Sequence, residues 1–124
     1  LLTSLSERHG LAVVTSMPYA FAVPLLEALG LRVRFAVVHG PHLDALHETK
    51  QVTLQRALDE LEHRARHTGR AWMIGDRYHD VEAGHACAID TVGVTWGIGS
   101  RRELIDAEPT AIVDTPSELA SLLP

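Results

Sequence analysis

Residues 71–80 read Ala71-Trp72-Met73-Ile74-Gly75-Asp76-Arg77-Tyr78-His79-Asp80: an apolar run, a glycine, and then two carboxylates within a few positions of each other. A short apolar run closed by Gly-Asp fits a buried parallel strand that ends in a turn. Asp80 stands where a new helix opens, and a carboxylate there meets free N–H groups and the positive end of the helix dipole. The stretch therefore reads strand, turn, helix. The same rhythm extends in both directions. Residues 11–14, 35–38, 91–95 and 111–113 are further apolar runs of strand length. Helical patterns lie between them. Residues 1–10 form an amphipathic tail with Leu1, Leu2 and Leu5 and a stop at Gly10; residues 19–29 place Phe21, Leu25, Leu26 and Leu29 on one side, with Gly30 as the stop and Pro24 as a kink. A long helix runs from Lys50 to about His67, capped by Thr49 and ended by Gly69, with Val52, Leu54, Leu58 and Leu61 as its apolar stripe. Shorter helices follow over 80–88, after the Ser100 cap through Arg101, Glu103 and Leu104, and over 117–122. Strands alternating with helices predict an α/β fold: a doubly wound, Rossmann-like, mostly parallel sheet with helices on both faces.

In such sheets ligands bind beyond the carboxyl ends of the strands. That rule points to Thr15-Ser16, His39-Gly40, Asp76 and Thr95-Trp96, each of which follows a predicted strand. Asp76 and Asp80, on one strand-to-helix turn, can reach one hard cation, which takes oxygen ligands and keeps some of its water. Their plainer roles are to close a turn and to cap a helix. A hydroxyl at Thr15 and the N–H groups around Ser16 can hold phosphate oxygens where a helix opens, and can equally be a simple cap. Lys50 puts a cation at a helix N-terminus, where the dipole disfavours it, so an anionic partner is expected unless the side chain is merely solvated.

Composition narrows the classes. The chain has 124 residues, 46% hydrophobic and 22% charged, an ordinary globular balance long enough to bury a core. A net charge of -5 argues against a nucleic-acid binder, which carries a basic stripe. No run approaches the roughly 18 apolar residues of a membrane span. The first residues, Leu1-Leu2-Thr3-Ser4-Leu5, lack the basic start of a signal peptide, and the lone Cys87 suits a reducing compartment, so a cytoplasmic protein is expected.

Taken together and in order, these features resemble the haloacid dehalogenase (HAD) superfamily of hydrolases. Its second motif, an apolar strand ending in Thr or Ser, is matched by residues 11–15; its third, a lysine opening a helix, by Lys50; its fourth, Gly-Asp-x-x-x-Asp, by Gly75, Asp76 and Asp80. The stretch Gly93-Val94-Thr95-Trp96-Gly97-Ile98-Gly99-Ser100 with Glu103-Leu104 is similar to the phosphoglycolate-phosphatase-like branch. The resemblance implies a Mg2+-dependent phosphate-monoester hydrolase acting on a small phosphorylated metabolite through an aspartyl-phosphate. It implies phosphoryl contacts from Thr15 and the Ser16 N–H, charge neutralisation by Lys50, a metal ligand in Asp76 and metal support from Asp80. The family's first motif, Asp-x-Asp-x-Thr, which holds the nucleophile, occurs nowhere in the chain, and the substrate-selecting cap that follows it is also missing. Residues 1–10 are accordingly expected to be the helix returning from a cap, and 11–124 the C-terminal part of the core. The chain is expected to be a truncated piece, since it starts on Leu1 rather than methionine, and to be inactive by itself. The alternative is a noncatalytic binding or regulatory module of the same fold. A receiver domain fits less well, because its lysine follows its acidic residues, and a haloalkanoate dehalogenase does not need the Gly-Asp-x-x-x-Asp metal motif.

Other conspicuous residues have plainer readings. His39, His42 and His47 with Asp44 and Glu48, and the pair His63 and His67, have zinc-like spacings but lie on a loop or lack a third ligand. Cys87 reads as a small buried hydrophobe. Trp96 flanks the mouth of the site, and Arg101-Arg102 is a solvated helix face. Met17 stands where many relatives of the family carry lysine. Ala88 stands where they place glycine, and a left-handed alanine there would cost about 1 kcal/mol.

Overall fold

Each predicted strand forms, and β4, central in its sheet, is the most deeply buried. The structure, a computed structural model, describes residues 1–64 and 70–123. Its elements are α1 (Leu2–Arg8), β1 (Ala12–Val14), α2 (Tyr19–Ala28), a 3-10 turn (Arg32–Arg34), β2 (Val37–His39), α3 (Lys50–His63), β3 (Trp72–Gly75), α4 (Tyr78–Ala86), β4 (Asp90–Val94), α5 (Arg101–Ala107), β5 (Ala111–Val113) and α6 (Pro116–Leu122). They fall into two compact units, residues 2–68 and 69–124. All strand pairs are parallel. No described helix is long and apolar enough to cross a membrane.

In the first unit β1 pairs with β2, Ala12 opposite Val37 and Val14 opposite His39. Val37, Ala57 and Leu61 form the core under α3, joined by Ala12, Val14 and Ala36. Thr49 caps α3 as expected, its Oγ1 accepting the Val52 N–H at 3.3 Å. The apolar stripe is rotated from the expected one. α3 buries Thr53, Leu54, Ala57 and Leu61, while Val52 is 47% exposed. With about 3.6 residues per turn, Val52 lies nearly opposite Leu54, so one helix face cannot bury both. The buried Thr53 hydroxyl is satisfied by Glu48 Oε2 (2.7 Å) and the Thr49 carbonyl (3.1 Å). The expected extension of this helix to His67 and its stop at Gly69 lie outside the described residues.

α2 has Pro18 as its N-cap and runs through Pro24 without breaking. It ends on Gly30 at φ +70, with Gly30 N–H bonded to Glu27 O and Leu31 N–H to Leu26 O, the paired bonds of a Schellman end. The expected apolar side is not its buried side: Ala22 is buried, whereas Phe21, Leu25 and Leu29 are exposed. A small residue lets the helix backbone approach its neighbours, and the bulky row Phe21-Leu25-Leu29 points away from that contact.

In the second unit β4 lies between β3 and β5, with Gly75 opposite Gly93 and Val94 opposite Val113. Alternation decides its packing. Thr91 and Gly93 face the helices: a Cβ on Gly84 of α4 would fall 2.3 Å from Thr91 Cγ2, and one on Gly93 would fall 3.2 Å from Leu104 Cδ2 of α5. Val92 and Val94, on the other face, are buried as well. Burial on both faces is what a central parallel strand requires. α4 starts at Tyr78, ahead of the expected Asp80, and ends in the same paired bonds as α2: Ala88 N–H to His85 O and Ile89 N–H to Gly84 O. Ala88 takes the left-handed position there at φ +58, as the sequence leads one to expect. Cys87 is half-buried at the C-cap of α4 rather than fully buried.

Candidate active site

Strands β1 to β4 each deliver a polar or turn-forming segment at the carboxyl end, and these segments carry the candidate residues. In the second unit β3 stops at Gly75 and the chain turns at once into α4. Asp76 sits on that rim, and Asp80, 6% exposed, sits in the first turn of the helix. Gly75 is needed for this turn, because a Cβ there would fall 2.3 Å from Asp80 Cβ and Oδ2. Asp80 Oδ2 accepts the Arg77 N–H at 3.3 Å. Arg77 occupies the N-cap position but has only donors, so it cannot return a capping bond to the helix.

The loop after β4 closes over Asp76. Asp76 Oδ2 accepts the Ile98 N–H at 2.8 Å. A Cβ on Gly97 would fall 2.3 Å from Asp76 Cβ and Oδ2, and one on Gly99 would fall 1.9 Å from the Asp76 carbonyl oxygen. Only glycines allow this approach. Glu103, on α5, ties the two loops together: its Oε2 accepts from Arg77 Nε (3.0 Å) and the Tyr78 N–H (2.9 Å), and its Oε1 accepts the Ser100 N–H (3.3 Å). The Tyr78 N–H and the Arg77 guanidinium hold the Glu103 carboxyl below its ordinary range. Tyr78, Trp96 and Ile98 are exposed around this rim, and the Tyr78 and His79 rings meet edge to face at 5.2 Å. Thr95 donates to Asp114 Oδ1 at 2.8 Å, and Asp114 also pairs with Arg101.

In the first unit Thr15 follows β1, and its Oγ1 accepts the Met17 N–H at 3.0 Å, shaping the turn that carries the exposed Ser16. The loop after β2 lies against this turn: a Cβ on Gly40 would fall 2.4 Å from the Met17 carbonyl oxygen, and the Tyr19 N–H donates to Pro41 O at 2.9 Å. Lys50 is the first residue of α3. Just before it, Glu48 accepts from Thr53 and from Arg56 Nη1 (2.7 Å). Burial would raise the Glu48 carboxyl, but the Thr53 hydroxyl and the Arg56 guanidinium outweigh it and hold the group below its usual range. The ring of His39 is largely buried, with Nε2 3.7 Å from Glu60 Oε2, too long for a hydrogen bond. Desolvation accordingly lowers its pKa, against the opposing pull of Glu60.

The predicted site residues thus divide between the units. Thr15 and Ser16 share one turn and Lys50 opens α3 in the first; Asp76 and Asp80 share one turn in the second. Among the described residues no three or more His, Cys, Asp or Glu side chains gather as a metal cage.

A protein-family model, HAD-hydrolase-like, matches residues 49–119, more than half of the chain. The chain belongs to this family. The HAD-like chain is 38% identical over 111 residues to a probable phosphatase, IndB, of Dickeya dadantii, a match covering 90% of this chain and 47% of that protein. It is 36% identical over 95 residues to a phosphoglycolate phosphatase of Synechococcus elongatus, covering 76% of this chain and 42% of the relative. Among solved structures it superposes on protein tyrosine kinase A (PtkA) of Mycobacterium tuberculosis with a TM-score of 0.77 and 34% identity, over 98% of this chain and 56% of that one. The chain therefore spans about half the length of the relatives it matches. The expected resemblance to the phosphoglycolate-phosphatase-like HAD hydrolases holds. No local sequence pattern marks the contact of Glu103 with Tyr78 or of the Ile98 N–H with Asp76. The signal for Glu103 was the Ser100-x-x-Glu103 capping box, which announces the start of α5 but not the bond to Tyr78.

Proposed function

We propose that this HAD-like chain supplies the phosphate-binding and metal-binding part of a Mg2+-dependent phosphatase for a small phosphorylated metabolite, phosphoglycolate or a nucleotide monophosphate. One observation carries the reading: Asp76 and Asp80 stand on one glycine-shaped turn at the end of a parallel strand, and Asp76 is steadied from behind by the Ile98 N–H. Oxygen donors alone suit a hard cation, and Mg2+ binds through one or two carboxylates plus water and substrate phosphate rather than in a closed protein cage. Asp76 Oδ2 accepts the Ile98 N–H; the Asp76 carboxylate would hold the cation, and Asp80 would support it from the first turn of α4. When bound, Mg2+ would offset charge on the transferring phosphoryl group.

The chain's own residues perform the other tasks. The Thr15 hydroxyl, already accepting from Met17, still has its proton to donate to a phosphoryl oxygen, and the Ser16 N–H lies on the same turn. Lys50, at the N-terminus of α3, adds its ammonium to the helix dipole to balance phosphate charge. No Asp-x-Asp-x-Thr occurs in the 124 residues, so the chain by itself is proposed to bind but not to turn over phosphate esters. An acidic balance and a single cysteine fit a cytoplasmic enzyme of small metabolites.

The test uses Mn2+ in place of Mg2+ and reads the broadening of backbone amide resonances. Broadening centred on residues 76–80, abolished by Asp76→Asn, is the expected result. Broadening elsewhere, or broadening indifferent to Asp76→Asn, sinks the metal assignment. With Mg2+ and p-nitrophenyl phosphate the chain is expected to show no turnover; turnover abolished by Asp76→Asn would overturn its proposed inactivity.

A further inference from the structure

Every helix leaves its first N–H groups without partners inside the helix, and a side chain at the N-cap normally takes one of them. α4 has no such side chain, because its N-cap residue is Arg77, which can only donate. The need is met from elsewhere in the chain. Glu103 Oε2 accepts the Tyr78 N–H at 2.9 Å, and the same oxygen takes Arg77 Nε at 3.0 Å. Its other oxygen accepts the Ser100 N–H at 3.3 Å, while Ser100 Oγ accepts the Glu103 N–H at 3.1 Å. One carboxylate thus holds the first turn of α4 and, at the same time, the end of the 97–100 loop. That loop is the one whose Ile98 N–H grips Asp76 and whose glycines press on the Asp76 side chain and carbonyl oxygen.

From this arrangement we propose that Glu103 is a positioning residue for the metal-binding turn: by capping α4 from α5 it fixes Asp76 and Asp80 relative to each other and keeps the Ile98 N–H on Asp76. The inference rests on the reading of Asp76 and Asp80 as the metal-binding pair. Glu103 touches neither metal nor substrate; it acts through Tyr78, Ser100 and the loop between them. Hydrogen bonds made directly to ligating groups are typically worth about 10- to 100-fold in metal affinity, and Glu103, one contact further out, is expected at the lower end of that range.

The experiment compares the unaltered 124-residue chain with Glu103→Ala, Glu103→Gln and, as a control on the same helix, Asp106→Ala, which breaks only the exposed pair with Arg102. Mn2+ affinity is read from amide broadening, hydrogen exchange is followed at Tyr78 and Ile98, and urea midpoints report folding. Glu103→Ala is expected to weaken Mn2+ binding about tenfold and to speed exchange at both amides. Glu103→Gln keeps one acceptor for the Tyr78 N–H but turns a donor toward the Ser100 N–H, so it is expected to recover part of both, and Asp106→Ala to change neither. Unchanged Mn2+ affinity in Glu103→Ala, with the unaltered chain binding normally, overturns the positioning role alone. Failure of the unaltered chain to bind Mn2+ at residues 76–80 overturns the metal reading, and the inference with it. Should Glu103→Ala not fold, Glu103→Gln decides: weaker Mn2+ binding together with faster exchange at Tyr78 and Ile98 supports the proposal, and faster exchange with the Mn2+ affinity of the unaltered chain overturns it.

Discussion

At the scale of single residues, the backbone conformation of Ala88 has a direct energetic consequence. α2 and α4 end in the same paired bonds, yet α2 uses Gly30 in the left-handed position and α4 uses Ala88. A Cβ in that conformation crowds the following carbonyl, at a cost of about 1 kcal/mol. Ala88→Gly is therefore expected to stabilise the chain by up to about 1 kcal/mol, less a few tenths for the freer unfolded backbone; an unchanged or lowered urea midpoint would contradict this. His39 carries a second prediction. Its buried ring has a pKa below the ordinary 6.5, chiefly through desolvation, with Glu60, Arg56, Glu48 and His42 as its charged surroundings. A depressed folded-state value means that the unfolded chain binds the proton first. Stability is then fully present above about pH 6.5 and is lost as pH falls from there through the folded-state pKa. Glu48 adds a second loss in the same direction, below its ordinary 4.5. Urea midpoints at pH 8, 6, 5 and 4 should fall in these two stages, and His39→Gln should remove the first. A first stage that survives the substitution would assign it to another group.

At the scale of elements, α4 shows how closely a helix and a strand can be fitted. Alanine at position 84 would improve helix propensity by about 1 kcal/mol, but its Cβ would meet Thr91 Cγ2 at 2.3 Å. Thr91 is fully buried and β-branched, and its Oγ1 is held by the Thr110 N–H at 3.1 Å, so it cannot swing aside. Overpacking of this kind costs about 1 to 3 kcal/mol, and Gly84→Ala is expected to be a net loss in thermal denaturation. The same helix marks what the sequence could and could not disclose. Strands β1 to β5 and the Thr49 and Ser100 caps were legible because each depends on residues within a few positions of one another, whereas the left-handed Ala88 followed from the glycine that the resembling family places there. Which face a helix buries depends on what lies across from it. The α3 stripe therefore came out rotated, with Val52 outside and Thr53 inside, and the Phe21-Leu25-Leu29 row of α2 came out exposed. The grip of Ile98 on Asp76 and of Glu103 on Tyr78 links residues more than twenty positions apart. Local patterns carry no information about such bonds.

At the scale of the whole molecule, the exposed apolar surface is the feature with a physical consequence. Phe21 (59%), Leu25 (46%) and Leu29 (61%) stand in one row on α2, and Val33 (85%) follows in the 3-10 turn. Single exposed hydrophobics are ordinary, but a contiguous row of large ones marks a surface prone to association. The strands add to this. Among the described residues each strand of the β1–β2 pair, and both β3 and β5 of the other sheet, presents one side without a strand partner. Unpaired edges of short apolar strands are templates for pairing with another chain, and a two-stranded sheet is marginal without further cover. The chain is therefore expected to self-associate or lose solubility at micromolar concentrations and above, where exposed apolar surface drives aggregation. Size-exclusion chromatography with light scattering across a concentration series would show a mass rising above that of one chain. Replacing Phe21, Leu25 and Leu29 together with lysine or glutamate should shift the population toward the monomer, because none of the three side chains is buried and the substitutions leave the Ala22 contact in place. If the triple variant associates as before, the strand edges rather than α2 are the sticky surface. A monodisperse, cooperatively melting monomer of the unaltered chain would mean that neither surface drives association.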